Sequence, residues 1–153
     1  MDVGIIGTGA MGIPMARILL EAGNDLFVYA RNPEKVVALR DKGALLVDTP
    51  AAIGEKSSII ILSLPFDPDV EEVLLGDQGV LRTAAPGTII VDTTTGTPVA
   101  ATRMAELCAL KGIGYIDAPI SGGEKRAEDG TLTFIVGGAE EYIEKIKPLL
   151  HKL

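Results

Sequence analysis

The fold is decided by one stretch near the start of the chain, VGIIGTGAMG at residues 3–12. An apolar run precedes its glycines and an amphipathic segment follows them, which predicts a strand, a tight turn and a helix. In such a unit the helix N-terminus offers unpaired amides to an anion. Gly7 permits the turn, Gly9 lets the backbone approach a pyrophosphate, and Gly12 lets the helix pack close to the strand. The turn therefore predicts a dinucleotide site made of Ile6, Gly7, Thr8, Gly9, Ala10, Met11 and Gly12.

Short apolar runs and longer amphipathic segments alternate along the rest of the chain, which is typical of βαβ units. The predicted strands are Val3–Ile6, Leu26–Tyr29, Ala44–Val47, Ser58–Leu64, Thr88–Asp92, Tyr115–Asp117 and Thr131–Val136. The predicted helices are Met11–Ala22, Pro33–Lys42, Pro50–Glu55, Pro68–Leu75, Pro98–Lys111 and Glu140–Leu150. Strands that are apolar at every position indicate burial on both faces. We therefore expect a Rossmann-type α/β fold: a doubly wound, mostly parallel sheet with helices on both faces.

The connection between the last two predicted strands is less regular, because it holds no obvious helix. We expect Thr131–Val136 to run antiparallel at the edge of the sheet. The chain has 153 residues, which is the length of one domain. Residues 1–153 are thus predicted to form a single nucleotide-binding domain.

The composition excludes several classes of protein. A net charge of −7 without a basic cluster argues against a nucleic-acid partner. The chain opens without a basic leader, and glycines interrupt its first apolar stretch, so neither a signal peptide nor a membrane span is expected. Cys108 is the only cysteine and cannot form an intrachain disulfide. We expect it to fill the core of a cytoplasmic protein.

The tip of the second predicted strand bears on which cofactor is bound. Sites for NAD place an acid there, which accepts hydrogen bonds from the adenosine ribose. This strand ends instead in Arg31 and Asn32, and a guanidinium grips a 2′-phosphate where a carboxylate would repel it. The sequence favours NADP, with NAD still possible. Lys35 can add to the same phosphate, and the alternative for both cations is an exposed surface position.

Four motifs extend this interpretation: GTGAMGIPMA at 7–16, SLP at 63–65, DTTT at 92–95 and DAPISGG at 117–123. With them the whole chain resembles the β-hydroxyacid dehydrogenases, the family of 3-hydroxyisobutyrate dehydrogenase, tartronate semialdehyde reductase and the glyoxylate/succinic semialdehyde reductases. The resemblance implies an oxidoreductase that transfers hydride between nicotinamide and a small 3-hydroxy acid or semialdehyde. It also implies the site residues, namely Leu64 and Pro65 along the adenosine half of the cofactor, Thr95 on the nicotinamide side, and Ser121, Gly122 and Gly123 around the substrate carboxylate.

One departure from the family pattern limits what the chain does alone. The family's catalytic Lys lies in a helical second domain, and nothing in these residues corresponds to it. His151 is expected to act as a cation at the end of a helix, and Lys125 sits among charged residues typical of an exposed loop. We therefore predict no catalytic residue and no metal site in this chain. It is interpreted as the inactive cofactor half of an enzyme that has a helical C-terminal domain and forms a homo-oligomer at full length.

Two alternatives stay open at this point. The first is a non-catalytic module that binds NADP for sensing or assembly. The second keeps dehydrogenase chemistry but changes the substrate, as in enzymes like 6-phosphogluconate dehydrogenase or the imine reductases. A phosphorylated sugar requires more cations than Lys125 and Arg126 supply near the Ser-Gly-Gly turn.

Overall fold

The chain forms eight strands and seven helices, and the computed structural model describes all of residues 1–153. The strands are β1 (Asp2–Ile6), β2 (Asp25–Tyr29), β3 (Leu45–Val47), β4 (Ile59–Leu62), β5 (Ile89–Asp92), β6 (Gly114–Asp117), β7 (Ile120–Ser121) and β8 (Thr133–Phe134). The helices are α1 (Gly12–Glu21), α2 (Val37–Asp41), α3 (Pro50–Lys56), α4 (Asp67–Leu75), α5 (Pro98–Ala109), α6 (Gly123–Asp129) and α7 (Glu140–Leu150). Two short 3₁₀ turns, Pro33–Val36 and Val80–Arg82, complete the elements.

Six strands form one parallel sheet in the order β3-β2-β1-β4-β5-β6. The chain builds outward from β1 through β2 to β3, then returns to the other side of β1 to form β4. This reversal makes the carboxyl ends of β1 and β4 a topological switch point, where open α/β sheets bind ligands. The predicted Rossmann-type fold class is confirmed.

The sheet separates two apolar cores, and β4 shows how the sequence divides between them. Ile59 and Ile61 face the core that packs against α1, α2, α6 and α7. Ile60 and Leu62 face the core that packs against α3, α4 and α5. Because successive side chains of a strand point to opposite faces, an uninterrupted apolar run is what a two-sided core requires. Cys108 is fully buried in the second core, as predicted, and burial raises the pKa of its thiol to about 12.

The region after β6 differs from the expectation in detail. Thr131–Val136 contributes only β8, which pairs antiparallel with β7 in a separate two-stranded sheet. One antiparallel bridge, between Asp117 and Gly137, ties this region to β6. The connection also holds a helix, α6, which the pattern did not reveal. Its sequence GEKRAED buries only Ala127, so it has no apolar stripe to detect.

The other helices lie close to their predicted positions, with one exception. The segment predicted as a single helix from Pro33 to Lys42 is a 3₁₀ turn followed by the short α2. No helix of the fold combines the length and the apolar character needed to cross a membrane.

Candidate cofactor-binding site

A cleft of about 530 Å³ opens at the carboxyl ends of β1, β2 and β4, at the topological switch point. Three loops form its walls: the glycine turn after β1, the tip of β2, and the loop from β4 into α4. Of the residues predicted from the sequence, this cleft brings together Ile6, Gly7, Thr8, Gly9, Ala10, Met11, Arg31, Asn32, Leu64 and Pro65.

The three glycines of the turn have different structural roles. Gly7 has a φ of +104°, and a Cβ there would overlap the backbone carbonyl of Ser63. At Gly12 a Cβ would overlap the carbonyl oxygen of Gly7. At Gly9, by contrast, a Cβ would meet nothing within 4 Å. The fold therefore requires the first and third glycines, whereas the second keeps space free in the cleft.

The turn leaves a row of backbone donors without partners. None of the amides of residues 8–12 donates to an acceptor within the protein, and the first bond of α1 runs from the Ile13 amide to the Gly9 carbonyl at 3.1 Å. The first turn of α1 contains no acidic side chain. Unpaired amides at the positive end of a helix are favourable partners for an anion. This wall of the cleft can therefore hold a pyrophosphate.

The opposite end of the cleft carries charged side chains. The Arg31 side chain is 76% exposed, and its Nη2 lies 3.9 Å from Oδ1 of Asp69 in the first turn of α4. Asn32 begins the 3₁₀ turn, and its Oδ1 accepts a hydrogen bond from the Glu34 amide at 3.1 Å. Its side-chain NH₂ group remains available as a donor. Lys35 lines the same end, so this end can hold a second anionic group.

Several predicted residues lie outside this cleft. Gly12 is buried behind it, and Thr95 is exposed in the loop between β5 and α5. The turn from Ser121 to Gly123 is also exposed, with φ values of +136° at Gly122 and +71° at Gly123. Lys125 and His151 are exposed and line no part of the cleft. The structure thus assembles the predicted phosphate and adenosine residues, but leaves the predicted substrate turn apart from them.

Sequence reasoning missed the contribution of α4 to the cleft. Asp69, Glu72 and Val73 line it from one face of that helix. Positions three and four apart share a helix face, and α4 directly follows the strand that flanks β1. These two facts could have identified the residues once the strand order was known.

A hydrogen-bonded network stabilises the neighbouring strand ends. The Tyr115 hydroxyl donates to Oδ2 of Asp92 at 2.6 Å, and the Thr94 amide donates to Oδ1 of Asp92 at 2.9 Å. The Thr94 hydroxyl then accepts from the Leu64 amide at 3.2 Å. The network therefore connects β6 and β5 to the loop that forms the cleft wall.

The electrostatics of this network are governed by burial. Burial raises the pKa of Asp92 even though its bonds from Thr94 and Tyr115 favour the ionised form. Burial, and then the neighbouring Asp92 charge, raises the pKa of the Tyr115 phenol. The pKa of Asp117 is also raised, first by burial and then by the charge of Asp92.

Known proteins are similar in sequence to nearly the whole of this chain. Residues 2–153 match the family model described as the NAD binding domain of 6-phosphogluconate dehydrogenase. The chain is 43% identical over 150 residues to 2-(hydroxymethyl)glutarate dehydrogenase of Eubacterium barkeri, covering 98% of this chain and 50% of that protein. It is 41% identical over 155 residues to 2-hydroxy-3-oxopropionate reductase of Escherichia coli (strain K12), covering 100% and 52%.

A solved structure also has the fold of this chain. The structure described as Psf3 in complex with NADP+ and 2-OPP has a TM-score of 0.93 and 32% identity, covering 98% of this chain and 53% of that chain. The chain spans about half the length of the relatives it matches.

Replacing Tyr115 leaves the buried Asp92 carboxyl without its phenol donor. We expect Tyr115→Phe to lower the free energy of unfolding by about 1–3 kcal/mol, the usual cost of leaving a buried polar group unpaired. Urea unfolding followed by circular dichroism measures this difference. Tyr142→Phe is the matched control, because the Tyr142 hydroxyl takes part in none of the side-chain hydrogen bonds of the structure, whereas that of Tyr115 donates to Asp92.

The size of this loss has a defined pH dependence. The raised pKa of folded Asp92 means that its contribution to wild-type stability is complete below the unfolded pKa and is lost as pH rises through the folded one. The Tyr115 hydroxyl favours the ionised carboxylate, so its removal costs more where Asp92 is ionised. The difference between wild type and Tyr115→Phe should grow as the pH rises above about 4, the ordinary pKa of an aspartate. A difference that shrinks over this range would contradict the assignment.

Proposed function

The chain belongs to the family of NAD-binding domains of 6-phosphogluconate dehydrogenase, as the cofactor-binding domain of a β-hydroxyacid dehydrogenase, and on that premise we propose that its cleft prefers NADP(H). The observation that carries the proposal is the row of unpaired amides at residues 8–11, which lines one cleft together with the cations at the tip of β2. When bound, the nicotinamide supplies the hydride for the reaction.

We assign each wall of the cleft one part of the cofactor. The amides of residues 8–11 hold the pyrophosphate, and the open space at Gly9 allows its close approach. Leu64 and Pro65 line the adenosine half. Arg31 and the Asn32 side-chain NH₂ bind the 2′-phosphate, with Lys35 adding a second positive charge. The absence of an acid at the tip of β2 supports this assignment.

Gly9→Val tests the pyrophosphate site. A branched side chain at this position projects into open space, so the fold should persist while the approach of the pyrophosphate is blocked. We expect cofactor binding to fall below detection in a titration, with an unchanged circular dichroism spectrum on the same sample. Binding within a few-fold of wild type would show that the turn has only a structural role.

Arg31→Ala tests the cofactor preference. A charge-assisted bond from arginine to phosphate contributes roughly 1.5–3 kcal/mol, or about ten- to a hundredfold in affinity. Calorimetric titration of the wild type should therefore show tighter binding of NADPH than of NADH, and Arg31→Ala should remove most of the difference. Arg40→Ala is a matched control, since Arg40 pairs only with its neighbour Asp41. Equal affinities in the wild type, or a preference retained by Arg31→Ala, would refute the assignment.

We further propose that the whole enzyme acts on a small 3-hydroxy acid or its semialdehyde. The names of the relatives, a hydroxy-acid dehydrogenase and an oxo-acid reductase, support this class. Thr95 is assigned to the nicotinamide side and the turn from Ser121 to Gly123 to the substrate carboxylate. Glycines at positive φ allow successive amides to converge on an anion.

The remaining features of the whole enzyme are part of the same proposal. Residues 1–153 form its nucleotide-binding domain, and a helical domain that bears the catalytic lysine completes the site. The full-length enzyme forms a homo-oligomer and works in the cytoplasm. The half-length match to the relatives supports a second domain, and the buried thiol of Cys108 fits a reducing compartment.

Because the proposal places the catalytic lysine in a second domain, we expect the 153-residue chain alone to show no turnover. Reduction of a carbonyl needs a group that protonates the developing alkoxide, and such help is typically worth 10²- to 10⁴-fold. Turnover by the isolated chain is measured as NADPH oxidation with succinic semialdehyde or glyoxylate at high protein concentration. Fusion to a helical, lysine-bearing domain from a relative should restore activity. Turnover near the usual 1–10³ per second by the chain alone would contradict the proposal, and its loss in Lys125→Met would then identify the donor.

A further inference from the structure

One carboxylate in the cleft has a position that conflicts with phosphate binding. Asp69 stands in the first turn of α4, where it is 29% exposed, and its Oδ1 lies 3.9 Å from the Arg31 guanidinium. Both side chains line the cleft. The cation assigned to the 2′-phosphate is therefore already paired with an acid that belongs to the opposite wall.

From this geometry we infer that Asp69 is a residue that determines cofactor specificity, because it competes with the 2′-phosphate for Arg31. The inference rests on the proposed role of Arg31. A phosphate that takes the guanidinium must displace Asp69 or lie close to its negative charge. Either event weakens NADPH binding and affects NADH binding far less, since NADH carries an uncharged 2′-hydroxyl in place of the phosphate. Asp69 thus narrows the preference that Arg31 creates.

The expected size follows from the charges. Two unit charges about 4 Å apart in water interact by an amount that changes an equilibrium roughly fivefold. A 2′-phosphate carries up to two charges, whereas the exposure of Arg31 allows screening by salt. We therefore expect Asp69→Asn to tighten NADPH binding about three- to tenfold and to change NADH binding less than twofold.

The experiment is a double-mutant cycle on the 153-residue chain, with both cofactors titrated by calorimetry at low and high salt. The four proteins of the cycle are wild type, Asp69→Asn, Arg31→Ala and the double variant. Glu71→Gln is the control, because it removes the same charge from α4 at a residue that pairs with Arg103 and does not line the cleft. Circular dichroism verifies that each variant is folded. The gain from Asp69→Asn should require Arg31 and should shrink at high salt.

The outcomes separate this inference from the function on which it rests. If Arg31→Ala removes the NADPH preference but Asp69→Asn leaves NADPH binding unchanged or weaker, the role of Asp69 is refuted and that of Arg31 stands. A gain that persists in full without Arg31, or that also appears in Glu71→Gln, would likewise overturn competition for the guanidinium. If Arg31→Ala keeps the preference, the proposed 2′-phosphate site itself fails, and the inference falls with it.

Discussion

The rest of the structure depends on the close contact between the Gly7 carbonyl and the backbone of Gly12. Because neither residue has a Cβ, the chain can leave β1, turn within five residues and begin α1 directly over the carboxyl end of the sheet. The same contact places the start of α1 beside the loop after β4. One steric constraint therefore positions the unpaired amides and allows α1 to pack close to the sheet.

An acidic chain can bind an anionic cofactor because the attraction is local. The protein has a net charge of −7, which repels a polyanion at long range but is screened within about 10 Å at moderate salt. Inside the cleft the fixed backbone dipoles of residues 8–11 attract an anion without reorganisation. Arg31 and Lys35 add charge at the other end, and Asp69 partly offsets it.

The predictable parts of this molecule are those that local sequence controls. The alternation of apolar runs and the turn at Gly7–Gly12 were sufficient for the fold class, and the family resemblance drawn from the motifs is confirmed by the match over residues 2–153. The sequence did not predict α6, because a charged helix that buries only one alanine lacks the apolar periodicity of an amphipathic helix. The sequence did not predict that Asp69 lines the cleft, because its position there depends on how α4 packs, which is a long-range property. The roles of Thr95 and Ser121 remain predictions, since neither lines the cleft that the glycine turn forms.

The burial of Cys108 has a practical consequence for chemical labelling. A thiol reacts as its thiolate, and a buried group with a pKa of about 12 forms almost none at neutral pH. Toward maleimides and similar reagents the folded chain therefore behaves as though it contained no cysteine. A single reactive thiol introduced on the surface, for example by Val99→Cys at a side chain that is 80% exposed, would carry a fluorophore or spin label at one defined site. Distances from that label could then be measured in the otherwise native protein.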